Sequence, residues 1–540
     1  MTKSQDRIFS LAEAIRKAYE SGQEDEALEP IVKVDAKGHP LGRPGPGDYA
    51  IFYDIRGERE IELTESLTDP GFRHFPVKKS LTLNFVTMIE YSPQLRAKVA
   101  FPPETKIRNT LTEALTKAGF RVAKISESEK AVHVGYFLNG KTDETFPGEE
   151  RVTVPSPQGI LSYAERPEMS AAEVTEAIAA KLRDDSADII IANLANVDVV
   201  GHIENKDAVL RAVETVDREL GRLVEESRGR RARLIVTSDH GTVEEWLYPE
   251  GAVNTGHTKN PVPFIMADFS AVPSAQPKLR GEGELADIAP TILELLDIEK
   301  PEEMTGQSLL LGPAGPLGKK EKLLLIILDG WGIRDDKFGN LIAEAKTPNF
   351  DNLWNNFPHA VLKSFGEFVG MPPRTVGNSE AGHLHIGAGR RIFLDRVKID
   401  RAIEDGSFFD NEAFLWALEG AKRQDRALHV MGIVSHYSSH GTIKHLFALL
   451  RLARKTGLKK VYIHAFIGRR GERPESGAIY IEKVEDMCRE LSTGEVVTVM
   501  GRFWPLDREG NWDRVEKAYR ALVFGEGTKV TRLAPGQESS

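Results

Sequence analysis

Aspartate and histidine residues occur in short motifs that could bind divalent cations. Asp198 and His202 lie four residues apart in NVDVVGH, a spacing that puts both side chains on one helical face. The other candidates are Asp239 and His240 in SDHGT, His257 in GHTKNPVPF and Asp329 in LDGWG. Any one of these residues alone would be typical of a helix cap or a solvated loop. Together they suit two divalent cations, and carboxylate and imidazole ligands without thiolate favour Mn²⁺ over the alternatives Zn²⁺, Co²⁺ and Mg²⁺.

Ser379, in VGNSEAGH, is the candidate nucleophile. Flanking glycines would let the backbone approach a phosphoryl group closely and leave the hydroxyl free of steric cover. A serine hydroxyl needs activation, and a divalent cation touching its oxygen would lower its pKa. An isolated string of this kind is otherwise typical of an ordinary turn. Combined with the metal candidates, it predicts phosphoryl transfer through Ser379.

Alternating strand and helix patterns predict the elements that position these residues. Asp188–Asn193, Arg233–Thr237 and Leu323–Leu328 are nearly continuous apolar runs, which are typical of buried parallel strands. Each is followed within a few residues by an aspartate, and the carboxyl ends of parallel strands are where α/β sheets bind ligands. Lys206–Glu226 has the apolar spacing of a crossover helix, and Ser170 with Glu173 forms a capping-box pattern before another helix.

A second α/β region is predicted from about residue 396 onward. Its expected strands are 428–431, 460–464 and 496–500, and helices are expected to begin near Thr442, Ser476 and Trp512. Two α/β domains, one with a central, mostly parallel sheet and the other smaller, also fit the length of 540 residues.

The composition of the chain argues against several classes of protein. A formal charge of -10 gives no electrostatic reason to expect nucleic-acid binding. The single cysteine, Cys488, excludes an internal disulfide framework and suits a reducing compartment. No apolar run approaches the roughly 20 residues that span a bilayer, and the polar start has no signal-peptide region. We therefore expect a cytoplasmic protein without membrane partners.

Seven motifs resemble those of cofactor-independent phosphoglycerate mutases, in the alkaline phosphatase-like superfamily. They are LDGWG, VGNSEAGH, HIGAGR, SESEKAVHV, NVDVVGH, SDHGTVE and GHTKNPVPF. The resemblance covers nearly the whole chain and implies that no 2,3-bisphosphoglycerate is required. It implies one ion held by Asp198, His202 and His257. It implies a second ion held by Asp329, Ser379, Asp239 and His240, with Lys130 beside the phosphoryl group.

The resemblance also implies an anion-binding cluster and a monomeric chain. The matching residues are Arg56 and Arg59 in DIRGER, Arg470 in GRRGERP, and Arg502 and Arg508 in GRFWPLDR. Guanidinium forks bind phosphate and carboxylate with paired hydrogen bonds, although a solvated charged surface is the alternative. His440, in SHYSSHGT, corresponds to the family's catalytic histidine and would move protons between the hydroxyls of the substrate.

The motif order is permuted relative to the family, because LDGWG opens a typical member but here follows NPVPF. We expect a continuous alkaline phosphatase-like domain over residues 103–394 and a discontinuous transferase-like domain over residues 1–102 plus 395–540. Residues 312–320, GPAGPLGKK, have linker composition and would join the family's usual ends.

Two loops depart from the family pattern, and both bear on the substrate. SHYSSHGT keeps His440 but replaces SDGGVHSH, and GRRGERP has Gly468 and Gly471 where the family has aspartates. The expected reaction is interconversion of 3-phosphoglycerate and 2-phosphoglycerate through phosphoserine. The alternatives are a related mutase or phosphotransferase acting on a different phosphorylated or phosphonate hydroxy acid, and a non-catalytic metabolite-binding homologue.

Overall fold

The computed structural model describes residues 10–103, 106–184, 186–271, 276–312, 321–436, 438–468 and 475–531. The described residues divide into two compact units, one drawn from Met1–Pro103 with Lys398–Ser540 and the other from Glu104–Val397. The sequence placed these divisions at residues 102/103 and 394/395. The expected linker lies outside the described residues except for Gly312.

The strands of the described residues alternate with helices along the chain. In order, the strands are β1 (Ile31–Val34), β2 (Tyr49–Phe52), β3 (Asn84–Ile89), β4 (Lys98–Phe101), β5 (Val122–Glu127), β6 (Glu149–Val154), β7 (Ile189–Leu194), β8 (Arg233–Thr237), β9 (Val262–Asp268), β10 (Glu282–Glu284), β11 (Leu323–Leu328), β12 (His359–Lys363), β13 (Leu428–Ile433), β14 (Val461–Ile467), β15 (Glu495–Gly501) and β16 (Thr528–Thr531).

The α-helices lie between these strands. In order, they are α1 (Leu11–Glu20), α2 (Ile61–Thr68), α3 (Leu111–Lys117), α4 (Ala171–Arg183), α5 (Asn196–Gly201), α6 (Lys206–Arg230), α7 (Ile288–Leu295), α8 (Leu341–Glu344), α9 (Pro348–Asn356), α10 (Ser379–Ala388), α11 (Asp395–Asp405), α12 (Glu412–Arg423), α13 (Ile443–Thr456), α14 (Ser476–Leu491) and α15 (Trp512–Val523). Among the described helices, none combines the length and apolarity needed to cross a membrane.

Each unit contains one eight-stranded sheet. In the unit of Glu104–Val397 the order is β10-β12-β9-β8-β11-β7-β5-β6, and only the pairings of β9 are antiparallel. In the other unit the order is β16-β1-β15-β14-β13-β2-β3-β4, with β1 antiparallel to β15. The prediction of two α/β units, with a mostly parallel sheet in the unit of Glu104–Val397, is confirmed.

The buried strands match the apolar runs of the sequence closely. Strands β8 and β11 have the predicted bounds, β7 is shifted by one residue, and every residue of these three strands is buried. Helix α6 extends four residues beyond the predicted crossover helix because no glycine or proline stops it at residue 226. Apolar burial on both sheet faces therefore dictates the elements that lead to the candidate site.

The capping-box prediction for Ser170 and Glu173 is wrong. The Ser170 hydroxyl donates to the Pro155 carbonyl oxygen at 2.8 Å and makes no capping hydrogen bond to α4. The Ser170 N–H instead donates to the Glu127 carboxylate at 2.9 Å. Glu127, at the end of β5, thus accepts the hydrogen bond that the predicted capping box would give to Glu173. A local sequence pattern cannot show such a long-range acceptor.

Candidate active site

The ends of three adjacent parallel strands bring the candidate aspartates together. Leu328 of β11 pairs with Leu194 of β7, and Ile327 pairs with Thr237 of β8. The residues that follow are therefore held at one edge of the sheet, as the sequence predicted. The backbone tightens this arrangement, since the Asp198 N–H donates to the Asp329 carbonyl oxygen at 3.0 Å.

A glycine permits this close approach. Gly330 has a φ of +84°, and a Cβ atom there would lie 2.8 Å from the Asp198 Cα and N atoms. Only a residue without a side chain fits both the left-handed backbone and the contact. The glycine of LDGWG is therefore required to place Asp329 beside Asp198.

Ser379 is the first residue of α10, whose N-cap is Asn378. The Ser379 Oγ accepts a hydrogen bond from Lys130 Nζ at 2.8 Å, donates to Asp329 Oδ1 at 3.3 Å and lies 3.0 Å from His240 Nε2. The residue is only 6% exposed. The structure thus surrounds the predicted nucleophile with a cation, a carboxylate and an imidazole.

The glycines beside Ser379 have a packing role. A Cβ atom on Gly377 would lie 2.1 Å from the Ser364 carbonyl oxygen, and one on Gly382 would lie 2.6 Å from the Asp239 Cβ. The sequence suggested that these glycines make room for a phosphoryl group. The contacts show that they make room for neighbouring protein atoms, which brings α10 against Asp239.

Asp198, His202 and His257 form the first candidate ligand group. The Nε2 atoms of His202 and His257 each lie 3.2 Å from Asp198 Oδ1. The Nδ1 atoms face backbone oxygens, of Thr255 at 2.6 Å for His202 and of Gly377 at 2.8 Å for His257. Backbone acceptors that hold Nδ1–H orient both Nε2 lone pairs toward Asp198, which is the arrangement of a metal-binding histidine pair.

Asp239, His240 and Asp329 form the second candidate group, next to Ser379. Nε2 of His240 lies 3.5 Å from Asp239 Oδ2 and 3.6 Å from Asp329 Oδ1. It is also 3.6 Å from Asp198 Oδ1, so His240 lies between the two groups. All seven residues that the resemblance assigned to metal binding therefore lie in one continuous cluster.

The cluster also contains a lysine, Lys130. It follows β5 in a 3₁₀ turn, and its Nζ donates to Asp198 Oδ2 at 2.6 Å, Asp329 Oδ1 at 2.8 Å and Ser379 Oγ at 2.8 Å. Burial alone would lower the pKa of Lys130, but the carboxylates of Asp329 and Asp198 raise it above its ordinary value. Lys130 is therefore a fixed cation that spans both ligand groups and the nucleophile.

The charges of the cluster fit divalent cations. Three buried carboxylates face one ammonium group, and burial followed by repulsion from Asp239 raises the pKa of Asp329. Asp239 Oδ2 is buried and accepts no hydrogen bond from a described residue. Burial would raise the pKa of Asp239, but His240 and His383 lower it and keep the carboxylate charged. Oxygen and imidazole donors with an unsatisfied anionic atom are a suitable divalent-cation site.

Two further residues support the cluster, and the sequence analysis did not single them out. Asn193 Nδ2 donates to Asp329 Oδ2 at 2.7 Å and contacts His383 Nε2 at 3.0 Å. His383 Nδ1 lies 2.9 Å from the Ser379 carbonyl oxygen and 3.3 Å from Asp239 Oδ2. Two features of the sequence could have identified them. Asn193 is a polar residue at the end of the DIIIAN strand, and His383 lies one helical turn after Ser379.

The other unit holds the predicted anion-binding residues that the structure describes. Glu58 contacts Arg56 at 2.6 Å and Arg508 at 2.9 Å, and Arg59 Nη1 donates to the Leu506 carbonyl oxygen at 3.2 Å. Arg502 Nη2 lies 3.3 Å from His440 Nε2. Within this unit, one local group of contacts therefore lies around Glu58 and another around His440.

The altered GRRGERP loop is described only at its start. Arg470 and Gly471 lie outside the described residues. Gly468 has a φ of +97°, and a Cβ atom there would lie 2.7 Å from the Glu26 Cα. The family's first aspartate would therefore not fit at this position without a shift of the Glu26 backbone.

Comparisons with known proteins identify both parts of the chain. Residues 15–300 match the family model described as the metalloenzyme superfamily, and residues 399–537 match the one described as the BPG-independent PGAM N-terminus. Asp329 and Ser379 lie in the interval that neither match covers.

Two curated relatives are named 2,3-bisphosphoglycerate-independent phosphoglycerate mutase. The chain is 44% identical to that of Thermomicrobium roseum over 305 residues, which cover 56% of this chain and 58% of the relative. It is 42% identical to that of Moorella thermoacetica over 307 residues, which cover 56% and 57%. The aligned region thus spans somewhat more than half of each relative's length.

A solved structure is also similar. It is titled as phosphoglycerate mutase from Leishmania mexicana at low cobalt concentration, and it is 29% identical with a TM-score of 0.35, covering 51% of this chain and 53% of that one.

The superfamily match covers just over half of this chain and includes five of the candidate ligands. The chain therefore belongs to the metalloenzyme superfamily.

Proposed function

We propose that the chain interconverts 3-phosphoglycerate and 2-phosphoglycerate by passing the phosphoryl group through Ser379. The observation that carries this proposal is the buried Ser379 hydroxyl, which contacts Lys130, His240 and Asp329 within 3.3 Å. Two relatives named 2,3-bisphosphoglycerate-independent phosphoglycerate mutase support the choice of substrate. No 2,3-bisphosphoglycerate is needed in this scheme.

The side chains of the Ser379 cluster would bind and orient the phosphoryl group. The Ser379 oxygen attacks phosphorus, the bond from phosphorus to the substrate oxygen breaks, and a phosphoserine forms. Lys130, already 2.8 Å from Ser379 Oγ, would contact a phosphoryl oxygen and offset its charge. A second transfer returns the phosphoryl group to the other hydroxyl of the glycerate.

Two divalent cations, most suitably Mn²⁺, would be held by the two ligand groups. One group is Asp198, His202 and His257, and the other is Asp239, His240, Asp329 and Ser379. When bound, such cations lower the pKa of a serine hydroxyl and neutralise charge on the phosphoryl oxygens.

The other unit would hold the glycerate. Arg56, Arg59, Arg502 and Arg508, with Arg470 by sequence, would bind phosphate and carboxylate groups. His440 would give a proton to the departing oxygen and take one from the attacking hydroxyl. The contact of Arg502 with His440 supports a shared role in this step.

The test is a ³¹P NMR assay of the purified chain with Mn²⁺ and 3-phosphoglycerate. We expect 2-phosphoglycerate to accumulate to equilibrium without 2,3-bisphosphoglycerate, and we expect Ser379→Ala to abolish it. The matched control is Ser364→Ala, which removes a nearby buried hydroxyl that donates to Asn260 rather than to the cluster. Absence of 2-phosphoglycerate with the metal-loaded chain would refute the proposal.

A different substrate is the second candidate, because the GRRGERP loop lacks two carboxylates. Gly468 leaves no room for an aspartate beside Glu26, and Gly471 removes the second one. The same chemistry would then act on another phosphorylated or phosphonate hydroxy acid. Faster turnover of such an acid than of 3-phosphoglycerate in a substrate panel would favour this candidate. Binding without any turnover would instead identify a non-catalytic homologue.

The order of the two family matches supports a circular permutation. The model described as an N-terminus matches residues 399–537, after the metalloenzyme match at residues 15–300. A variant whose chain opens within residues 313–320, with residue 540 joined to residue 1, should then fold and retain activity. The cytoplasmic location and the monomeric state stay predictions from the sequence.

A further inference from the structure

Three buried side chains form a polar group in the unit that contains the arginines. Asp54 follows β2, Glu60 precedes α2 and His440 precedes α13, and all three residues are fully buried. One oxygen of each carboxyl group and one ring nitrogen of His440 lie within 4.8 Å of one another. A buried group of this kind requires a definite arrangement of protons.

The contacts of His440 determine which ring nitrogen carries the proton. Nδ1 lies 2.6 Å from Glu60 Oε1, and Nε2 lies 3.3 Å from Arg502 Nη2. A guanidinium group can only donate hydrogen bonds, so Nε2 presents a lone pair to Arg502. Nδ1 therefore carries the hydrogen and donates it to the Glu60 carboxylate.

Asp54 behaves as the protonated partner of Glu60. Asp54 Oδ1 accepts a hydrogen bond from the Ile433 N–H at 2.7 Å, while Oδ2 is buried and has no donor among the described residues. Burial, and then the neighbouring Glu60 carboxylate, raise the pKa of Asp54 well above its usual range. Two buried carboxyl groups this close hold one proton between them. Glu60 Oε1 is the carboxyl oxygen that faces His440 Nδ1.

We propose that Glu60 is a positioning residue that holds His440 in the Nδ1–H form and directs Nε2 to the reacting proton. This inference rests on the proposed mutase function. Turnover begins with substrate bound and a proton on Nε2 as well as on Nδ1. Nε2–H gives its proton to the departing glycerate oxygen, and Nε2 then takes a proton from the attacking hydroxyl. The protons on Nδ1 and Asp54 stay in place, so the step is balanced over one cycle.

Other charged or titratable groups lie near Asp54, Glu60 and His440. Arg502 faces Nε2, the Arg59 N–H donates to Glu60 Oε2 at 3.1 Å, and the Tyr91 hydroxyl donates to the Asp54 carbonyl oxygen at 2.7 Å. Tyr53 lies next to Asp54, and burial raises the pKa of Tyr53 and of Tyr91. Both phenols therefore stay neutral, and the group that contacts Nδ1 is the Glu60 carboxyl.

The first test is the substitution Glu60→Gln. We expect kcat to fall about 10²-fold with little change in KM, because an amide no longer enforces one tautomer. We also expect the basic limb of the kcat profile to move to lower pH, because the imidazolium form that gives the first proton loses its carboxylate. Glu60→Asp keeps the charge and should recover part of kcat. Wild-type kcat and an unchanged pH profile in Glu60→Gln would overturn the inference.

The matched control is Asp48→Asn in the same unit. Asp48 is another buried carboxylate beside a buried imidazole, with Oδ2 3.4 Å from His429 Nε2. It has no part in the proposed proton transfer. We expect lower stability but the wild-type kcat and pH profile. Equal losses in Asp48→Asn and Glu60→Gln would assign the effect to folding and overturn the inference.

A second test does not depend on mutase activity. ¹⁵N NMR of histidine-labelled chain, with the His440 signals assigned by His440→Gln, reports which ring nitrogen is protonated. We expect Nδ1–H in the wild type and a mixture of tautomers in Glu60→Gln. If the wild type shows Nδ1–H but forms no 2-phosphoglycerate, the proposed function fails while the Glu60 contact stands. A wild-type Nε2–H form would overturn the inference even in an active enzyme.

Discussion

The two polar clusters of this chain are built in different ways. The Ser379 cluster lies at the ends of buried parallel strands, and its three carboxylates are each at most 5% exposed. The arginines of the other unit lie in loops, where Arg56 and Arg508 are exposed and contact Glu58. The proposed reacting groups are thus fixed by the core, whereas two of the proposed substrate-binding arginines, Arg56 and Arg508, are exposed and paired with the chain's own Glu58.

This difference has an energetic reason. A buried carboxylate without a partner is costly, so Lys130 stabilises the Ser379 cluster and the proposed cations would stabilise it further. An exposed arginine pair contributes about 0–1 kcal/mol, so an incoming phosphate or carboxylate can displace Glu58 at little cost. We therefore expect substitutions in the Ser379 cluster to act on kcat and metal content, and substitutions among the exposed arginines to act on KM.

Among the substitutions that test this difference between the Ser379 cluster and the exposed arginines, Asp239→Asn is expected to have the largest effect. Loss of the anionic oxygen, which accepts no hydrogen bond from a described residue, should lower metal content and reduce kcat by more than about 10²-fold. Mass-spectrometric metal analysis and the ³¹P NMR assay check both effects. Asp217→Asn is the control, because Asp217 is a buried carboxylate in α6 that accepts from the Phe350 N–H. Normal metal content in Asp239→Asn would contradict the ligand assignment.

A smaller effect is expected for His383→Ala. His383 contacts Asp239 and the Ser379 backbone, so its loss should reduce metal affinity or kcat about 10–100-fold. His385→Ala, two residues along α10, removes a buried imidazole that bonds only local backbone. Metal titration by calorimetry should separate them, with His385→Ala losing stability but not affinity. Equal affinities for the two variants would mean that His383 has only a packing role.

Arg508→Ala should mainly affect substrate binding. Loss of one charge-assisted contact to the anion should raise KM for 3-phosphoglycerate about tenfold and leave kcat within about threefold. Arg520→Ala, which removes an exposed arginine paired with Glu526, should change neither. Steady-state kinetics at fixed ionic strength measure this difference. A large fall in kcat with unchanged KM would break the contrast between the two clusters.

The smallest effect concerns stability at Glu127, where β5 ends just before Lys130. Burial raises the pKa of Glu127 to about 7, although the Ser170 N–H lowers it. The folded state therefore binds the proton more tightly than the unfolded state, and this stability is lost as pH rises from about 4.5 to 7. Glu127→Gln should remove that loss and raise the free energy of unfolding at pH 8 by about 2 kcal/mol relative to wild type.

Urea unfolding with chelator at several pH values measures this effect. Glu129→Gln is the control, since Glu129 is exposed and contacts Tyr163. A wild-type pH dependence in Glu127→Gln would show that Glu127 is ionised in the folded chain.

Apolar patterning predicted the parts of the fold that depend on burial. Runs such as Leu323–Leu328 and Arg233–Thr237 can satisfy their side chains only inside a covered sheet, so their bounds were correct. The aspartates that follow such strands converge because parallel strands end at one edge. Local patterns were less reliable, since the Ser170 N–H donates to Glu127, 43 residues away, rather than to Glu173.

Contacts that depend on strand order were not predictable from one sequence. Asn193 meets Asp329 because β7 adjoins β11, and Glu60 meets His440 across 380 residues of chain. Nothing in the local sequence of Asp54 or Glu60 distinguishes them from surface carboxylates, which most such residues are. The Gly468 substitution likewise becomes interpretable only once Glu26 is seen beside it.

The most direct test is mass spectrometry of the rapidly quenched, metal-loaded chain after exposure to 3-phosphoglycerate. We predict one added phosphoryl group on the peptide that contains Ser379 in the wild type, and none in Lys130→Ala. Full mutase turnover by Ser379→Ala, with no phosphoryl group on wild-type Ser379, would contradict the account.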